Sequence, residues 1–291
     1  EWVDIQREEF KRLGITGNWA DPYLTMDFHA EAVIAAEFQK FLMNGTLYQG
    51  SKPVMWSPIE QTALAEAEVE YHDRKSDAIW VKFPVVAGAG DASIFSKVKT
   101  DVVIWTTTPW TIPQNRAICF GAGISYGVYE VIGRPEECWA TIGEKMVLAD
   151  GLAESILAAG RLEGDEMICR LGDVTAEELA QVVCAHPLRG AEGAGGEWDF
   201  DVPLLAGDHV TDDAGTGFVH TAPSHGDDDY AIGVKHGLPM TYNIRDDSSY
   251  RDDLPFFAGE AILKSNGKPG GANKAVIAKL VEVGALFARA R

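Results

Sequence analysis

A short apolar run that ends in hydroxyl and proline residues constrains the fold more than any other stretch of this chain. Residues 102–105 (VVIW) have the composition of a buried strand, and three threonines follow directly at 106–108. Pro109 and Pro113 come next, and because proline lacks an amide proton, neither a helix interior nor a central strand continues through them. The stretch predicts a strand that ends in a rigid turn. Its hydroxyl groups serve either that turn alone or the binding of a water or a polar substrate.

A second stretch, residues 213–230, combines glycines, two histidines and three consecutive aspartates. It reads DAGTGFVHTAPSHGDDDY, with the histidines at positions 220 and 225. The aspartates suit the first turn of a helix, where the helix dipole favours negative charge. From the residues alone, they could equally be solvated surface groups.

Together the two stretches resemble the editing domain that is inserted into isoleucyl-tRNA synthetases. In that family the patterns WTTTPWT-x-P-x-NRA and GTG-x-VHTAP-x-HG-x-DDY line one hydrolytic pocket, and both occur here in the same order. Valyl and leucyl synthetases are similar more loosely, since they carry Thr-Thr-Arg-Pro in the first pattern and lack a histidine at position 220. Residues 19–28 and 62–71 also match, so the resemblance covers most of the chain.

The resemblance implies a pocket that hydrolyses the ester between an amino acid and the terminal ribose of a tRNA. Three threonines would position the water and the ester carbonyl, and one aspartate would bind the substrate ammonium group. The implied catalytic residues are Thr106, Thr107, Thr108 and Asp229. The implied substrate-binding residues are Trp105, Asn115, His220, Thr221 and His225. His220 is expected to exclude the larger cognate side chain. Asn115 also fits a turn, and His220 also fits a buried strand end.

The need for such a pocket follows from a limit on discrimination by binding. One methylene group is worth only about 1–3 kcal/mol, a limit for which isoleucyl-tRNA synthetase is itself the reference case. The resemblance therefore implies a second, smaller pocket that admits valine. The expected partners are the 3′ end of mischarged tRNA(Ile), valine or valyl-adenylate, and the remainder of the synthetase chain. No cofactor is expected in this fragment, because the HIGH-like and KMSKS-like motifs that bind ATP, with its magnesium, are missing.

The charge composition limits how this chain can bind a nucleic acid. The formal net charge is −19, from 25 basic and 44 acidic residues. Because phosphate contacts need a surplus of Lys and Arg, the chain is not expected to grip a duplex alone, although a pocket for one terminal nucleotide remains compatible. The four cysteines form no C-x-x-C pair, so no metal site is predicted. No membrane-spanning segment is predicted, and the expected location is the cytoplasm.

The order of predicted elements indicates a mixed α/β fold. Many short strands with scattered helices predict a β-barrel-like editing core decorated by helices. Residues 1–62 are predicted as a helical connector towards the synthetase core, and residues 63–291 as the editing domain. The missing initial Met suggests an excised fragment. Periodicity predicts helices at 27–43, 145–160, 228–236 and 273–283, and strands at 66–71, 77–86, 117–120, 126–132 and 137–142.

Three alternative functions fit parts of the same sequence. Residues 222–226 (APSHG) are a near match to the G-x-S-x-G elbow of serine hydrolases, which would make Ser224 a nucleophile. His220 and His225 with the aspartates could bind a metal. A third alternative is a non-catalytic module that only captures the end of a tRNA.

Overall fold

The residues before position 53 form a compact unit of two helices. The computed structural model describes residues 1–88, 90 and 93–290, and this first unit spans Glu1–Lys52. Its helices are α1 (Trp2–Arg12) and α2 (Phe28–Met43). Asp27 caps α2 because its side chain accepts a hydrogen bond from the backbone amide of His29 at 3.2 Å. The helix predicted at 27–43 is confirmed.

The second compact unit begins at Pro53 and carries a large mixed sheet. Its strands are β1 (Trp56–Ser57), β2 (Thr62–Ala63), β3 (Ala78–Ala87), β4 (Asp101–Thr106), β5 (Ala117–Phe120), β6 (Tyr126–Val131), β7 (Lys145–Ala149), β8 (Ile168–Val174), β9 (Val183–Ala185), β10 (Asp201–Ala206), β11 (Phe218–Thr221) and β12 (Leu286–Ala290). Its α-helices are α3 (Ile94–Lys97), α4 (Ala153–Ala159), α5 (Ala176–Leu179), α6 (Asp227–His236) and α7 (Ala272–Glu282). Three 3-10 helices cover Glu66–Glu68, Pro109–Gln114 and Asp150–Leu152. The mixed α/β class is confirmed.

The strands follow the order β11-β5-β10-β9-β3-β4-β7-β6-β8, and β12 also pairs with β3. The pairs β5–β10 and β4–β7 are parallel, and the other pairings in this sheet are antiparallel. Strand β11 stands at one end of this order, yet it lies against β4, with which it forms no ladder. The sheet therefore curls like a barrel without closing through hydrogen bonds in the described part of the chain.

Strand β4 packs into apolar cores on both of its faces. Val102 and Ile104 belong to one buried cluster, whereas Val103 belongs to another on the opposite face. Strand β7 repeats this pattern, with Val147 in the first cluster and Met146 in the second. Because successive side chains of a strand point to opposite faces, a strand buried on both sides has a continuous apolar sequence. The last residues of β4 are thus held rigidly where the threonine stretch begins.

Two predicted elements are wrong and one is wrong in its first part, for identifiable reasons. The helix predicted at 145–160 begins as strand β7 and is helical only from residue 150, since the continuous apolar run of a doubly buried strand imitates helical spacing. The strand predicted at 137–142 is a loop, which Arg134 holds by donating to the carbonyls of Cys138 and Ala140. The alternating segment 66–71 begins with a short 3-10 helix and is almost entirely exposed, so no buried face supports a strand.

Several other predicted elements are confirmed by the structure. Strands β3, β5 and β6 and helix α7 occur close to their predicted positions. Helix α6 ends at Gly237, whose φ of 65° is the left-handed conformation that glycine adopts readily. The predicted boundary between residues 62 and 63 falls within β2, whereas the compact unit starts at Pro53. The functional division of the chain stays a prediction.

Candidate functional site

The end of β4, strand β11 and the first turn of α6 surround one pocket of about 330 Å³. This volume is at the lower end of the range typical for small-molecule sites, roughly 300–1,000 Å³. Its lining residues include Trp105, Thr106, Thr107, Thr108, Thr111, His209, Thr211, Phe218, His220, His225 and Asp229. Seven of the nine residues that the sequence singled out line this pocket. Asn115 and Thr221 lie behind its wall, in the buried interior.

The threonine row places three hydroxyl groups at the end of β4, and two of them are hydrogen-bonded to each other. The Oγ1 atoms of Thr106 and Thr108 are 3.1 Å apart, and the backbone amide of Thr108 donates to Thr106 Oγ1 at the same distance. Thr106 is buried, whereas Thr107 and Thr108 are exposed on the pocket side. The row therefore offers two accessible threonines, and the buried Thr106 orients the hydroxyl of one of them, Thr108.

The turn after the row is fixed by contacts from distant segments. Pro109–Gln114 forms a 3-10 helix, and the amide of Trp110 donates to Asn273 Oδ1 at 3.1 Å. The hydroxyl of Tyr250 donates to the carbonyl of Trp110 at 2.6 Å. Because both backbone groups of Trp110 are bonded to the body of the fold, the threonines are held on a rigid support.

His220 is buried on β11 and contacts the first motif through both of its ring nitrogens. Its Nε2 lies 2.8 Å from Thr111 Oγ1, and its Nδ1 lies 2.8 Å from Asn115 Nδ2. Burial lowers the pKa of His220 to about 3, so the ring is neutral at physiological pH. The structure thus joins the two motifs through a side chain that carries no charge.

Asp229 is the aspartate that faces the pocket. Its neighbours Asp227 and Asp228 are exposed, whereas Asp229 is half-buried and lines the pocket. Burial raises its pKa to about 6, and the backbone hydrogen bond from Ala222 opposes this rise. At neutral pH Asp229 is mostly ionised, and it is therefore a negative charge available to a cationic group in the pocket.

The remaining predicted residues have mainly structural surroundings. The His225 ring meets the Trp110 ring edge-on, with centroids 5.1 Å apart, and burial lowers its pKa to about 4. Trp105 lines the pocket and packs its ring against Trp80, with centroids 6.5 Å apart. Thr221 is buried, with its hydroxyl 3.3 Å from the Cys119 sulfur.

Thr111 and His209 are among the pocket residues that the sequence reasoning missed. Thr111 belongs to the first motif, but only the 3-10 turn shows that its hydroxyl points towards His220. His209 follows β10, and its ring lies over Gly207, where an added Cβ would come within 2.7 Å of Cε1. No spacing signal in the sequence connects His209 with either motif.

The geometry offers little support to the hydrolase alternatives. Ser224 Oγ is buried and has no hydrogen-bond partner in the described part of the chain, so no base activates it as a nucleophile. Both ring nitrogens of His220 are engaged by protein groups, which leaves neither free to bind a metal. Across residues 1–88, 90 and 93–290 no group of three or more metal-ligating side chains converges. No helix in these ranges is long and apolar enough to cross a membrane.

Comparison with known proteins identifies the class. The profile of the family "tRNA synthetases class I (I, L, M and V)" matches residues 1–267, and the chain belongs to this family. Within it, the chain is 60% identical over 293 residues to the isoleucine–tRNA ligase of Ruegeria pomeroyi and 51% identical over 302 residues to that of Rhodopseudomonas palustris. Both alignments cover 100% of this chain but 29% of the relative, so the chain spans less than a third of those proteins.

Solved structures of leucyl-tRNA synthetase editing domains are also similar. The editing domain of the P. knowlesi cytosolic enzyme aligns with a TM-score of 0.47 and 13% identity, covering 74% of this chain and 97% of that domain.

Proposed function

We propose that this chain is the editing domain of an isoleucine–tRNA ligase and that it hydrolyses valine from mischarged tRNA(Ile). The observation that carries the proposal is the single pocket shared by the threonine row, Asp229 and His220. These groups match the three needs of the reaction, which are a held water, an anchor for the ammonium group and a wall that measures the side chain.

In this proposal the threonine hydroxyls and Asp229 have different roles in the reaction. Asp229 binds the substrate ammonium through a charge-assisted hydrogen bond, which fixes the ester relative to β4. Thr107 and Thr108 hold the attacking water and the ester carbonyl, and Thr106 orients Thr108 from below. Water adds to the carbonyl carbon, and the ester bond to the ribose oxygen breaks. A proton returns to that oxygen, so the products are free valine and tRNA with an intact 3′ hydroxyl.

His220 is proposed to form the wall that excludes isoleucine. The ring is buried and bonded on both sides, so it cannot move away from a larger ligand without breaking hydrogen bonds. A rigid wall rejects an additional methylene by overlap, which is stronger than the small binding difference that the synthetic site has to use. Valine fits and is hydrolysed, whereas isoleucine is spared.

The proposed partners follow from the charge of the domain. With a net charge of −19 the domain does not hold the body of a tRNA alone, so we propose that the rest of the synthetase chain binds it. Only the aminoacylated 3′ end enters the pocket, from the cytoplasmic pool of tRNA. Valyl-adenylate is a second proposed substrate. ATP and magnesium would bind elsewhere in the complete enzyme.

The test is deacylation by the full-length protein of Val-tRNA(Ile) and Ile-tRNA(Ile), each against a reaction without enzyme. The proposal expects rapid release of valine, little release of isoleucine, and no effect of added zinc or chelator. If neither ester is hydrolysed but the charged tRNA end still binds, the domain is a non-catalytic module. If a Ser224→Ala variant loses valine release while Asp229→Ala keeps it, the serine-hydrolase alternative is correct.

A further inference from the structure

We infer that Asn115 and Thr111 are positioning residues that hold His220 in one tautomer, with the proton on Nε2, and thereby set the side-chain specificity of the pocket. The inference rests on the proposed function and adds two residues to it that act through His220. Neither has to touch the substrate. Three hydrogen bonds in the buried interior carry the argument.

The orientation of the Asn115 amide is the first step. Its Nδ2 donates to the carbonyl of Ala117 at 2.8 Å, and a carbonyl can only accept a hydrogen bond. The reverse orientation would bring the Asn115 oxygen against that carbonyl, oxygen to oxygen. The Asn115 oxygen has no partner in the described protein, so the contacts of the nitrogen alone decide the orientation.

The tautomer of His220 follows from this orientation. The second proton on Asn115 Nδ2 points to His220 Nδ1 at 2.8 Å, so Nδ1 must accept and carries no proton. In a neutral imidazole the proton is then on Nε2, which donates to Thr111 Oγ1 at 2.8 Å. The hydroxyl of Thr111 in turn donates to the carbonyl of Thr108 at 2.8 Å. In this series of hydrogen bonds, which runs from Asn115 through His220 and Thr111 to Thr108, each donor has one acceptor.

The consequence for specificity concerns the part of the His220 ring that a ligand in the pocket can contact. Both ring nitrogens are used inside the protein, so His220 can present only its C–H edges and ring face to the pocket. The ring is therefore an apolar wall of fixed position. If the ring were released, it could rotate, offer a nitrogen to the ligand and make space for a longer side chain.

Two substitutions of Thr111 separate the hydrogen bond from simple packing. Thr111→Val keeps the branched shape and removes the hydroxyl, whereas Thr111→Ser keeps the hydroxyl and removes a methyl group. The measurement is the ratio of deacylation rates for Val-tRNA(Ile) and Ile-tRNA(Ile), with the full-length protein and with melting temperatures recorded for each variant. Asn115→Asp is the third variant, since its carboxylate can only accept and therefore reverses the tautomer of His220 at nearly the same shape. It also loses the hydrogen bond to the Ala117 carbonyl, so its melting temperature is the control for a general loss of structure.

For Thr111→Val and Asn115→Asp, we expect the ratio of Val-tRNA to Ile-tRNA deacylation rates to fall at least tenfold, mainly through new hydrolysis of Ile-tRNA. For Thr111→Ser, we expect this ratio to stay within twofold of wild type. The inference would be wrong if Thr111→Val kept the wild-type ratio of deacylation rates, or if only Thr111→Ser lowered that ratio. Either result would mean that packing, and not the hydrogen bond, sets the specificity. If Asn115→Asp or Thr111→Val does not fold, the other variant with Thr111→Ser still decides. A wild-type protein that releases no valine would instead refute the proposed function.

Discussion

The Asp229 carboxylate accepts a hydrogen bond from the backbone amide of Ala222 at 2.6 Å, across the turn that joins β11 to α6. The same carboxylate lies so close to Gly226 that an added Cβ there would come within 2.5 Å of Oδ2. The backbone therefore fixes the position of this charge, which is the subject of the three following predictions.

Asp229→Ala is expected to reduce the deacylation of Val-tRNA(Ile) about 100-fold or more, with the fold intact. A charge-assisted hydrogen bond contributes roughly 1.5–3 kcal/mol, and loss of the anchor also misplaces the ester. Asp228→Ala is the matched control, because Asp228 is exposed on the same helical turn. If Asp229→Ala deacylated Val-tRNA(Ile) at the normal rate and Asp228→Ala did not, Asp228 would be the residue that binds the ammonium group.

The pH dependence of editing is expected to report the ionisation of Asp229. Burial raises its pKa to about 6, and only the ionised form attracts an ammonium group. The rate, divided by the non-enzymatic rate at each pH, should fall about tenfold per unit below pH 6. Asp229→Asn should show a low rate without this inflection. An inflection that persists in Asp229→Asn would assign it to another group.

The same raised pKa predicts that Asp229 destabilises the fold. The folded protein holds this proton more tightly than the unfolded chain, so stability decreases as pH rises from about 4 to 6 and stays lower above. Asp229→Asn should therefore increase the free energy of unfolding by about 1–3 kcal/mol at pH 7.5. The increase should be much smaller at pH 3.5, where the carboxyl is mostly protonated in both states. Urea unfolding at the two pH values measures this difference. An equal effect at both values would point to a cause other than charge.

Substitutions in the threonine row are expected to be non-additive. Thr106 and Thr108 are hydrogen-bonded, so the double alanine variant should lose less than the product of the single losses, with a coupling of about 0.5–3 kcal/mol. Each single variant should edit slowly, and the triple variant that includes Thr107 should be nearly inactive. Rates of Val-tRNA(Ile) deacylation provide the double-mutant cycle. If the triple variant deacylated Val-tRNA(Ile) at the wild-type rate, the three threonines would have only a structural role at the end of β4.

His220→Ala is expected to hydrolyse Ile-tRNA(Ile) as well as Val-tRNA(Ile). Removing the ring opens space for one methylene, whose burial is worth only about 0.8 kcal/mol, so the gain comes mainly from lost overlap. Both deacylation rates and the melting temperature should be measured. A stable variant that still spares Ile-tRNA would place the discrimination elsewhere, and a parallel decrease of both rates and of stability would indicate a purely structural histidine.

Gly217→Ala should destabilise the fold more than Gly284→Ala. Both glycines have positive φ, 75° and 71°, so each substitution costs about 1–2 kcal/mol in backbone strain. At Gly217 an added Cβ would also lie 2.5 Å from the Cβ of Ala149, whereas Gly284 has open space. Overlap in a packed region adds about 1–3 kcal/mol. Equal unfolding free energies for the two variants would show that β7 moves away without cost.

The sequence motifs brought out residues that line one candidate pocket, whereas several secondary-structure elements around it were predicted wrongly. Thr108, His220 and Asp229 were found because they belong to contiguous motifs. Thr111 was missed because the direction of its hydroxyl depends on a 3-10 turn, which composition does not determine. Strand β7 was read as a helix because burial on both faces removes the alternation that marks a strand. The roles of the pocket residues stay predictions.

The contact of β11 with β4 has a consequence for how the chain folds. Thr111 and His220 are 109 residues apart in sequence, and the two strands that carry the motifs meet through the curl of the sheet without pairing directly. Closing so long a loop costs entropy that is recovered only when the intervening strands are in place. We therefore expect the pocket to assemble late, in the same cooperative step as the global fold. A newly synthesised chain would then form the complete pocket in one step, only after both motifs have left the ribosome.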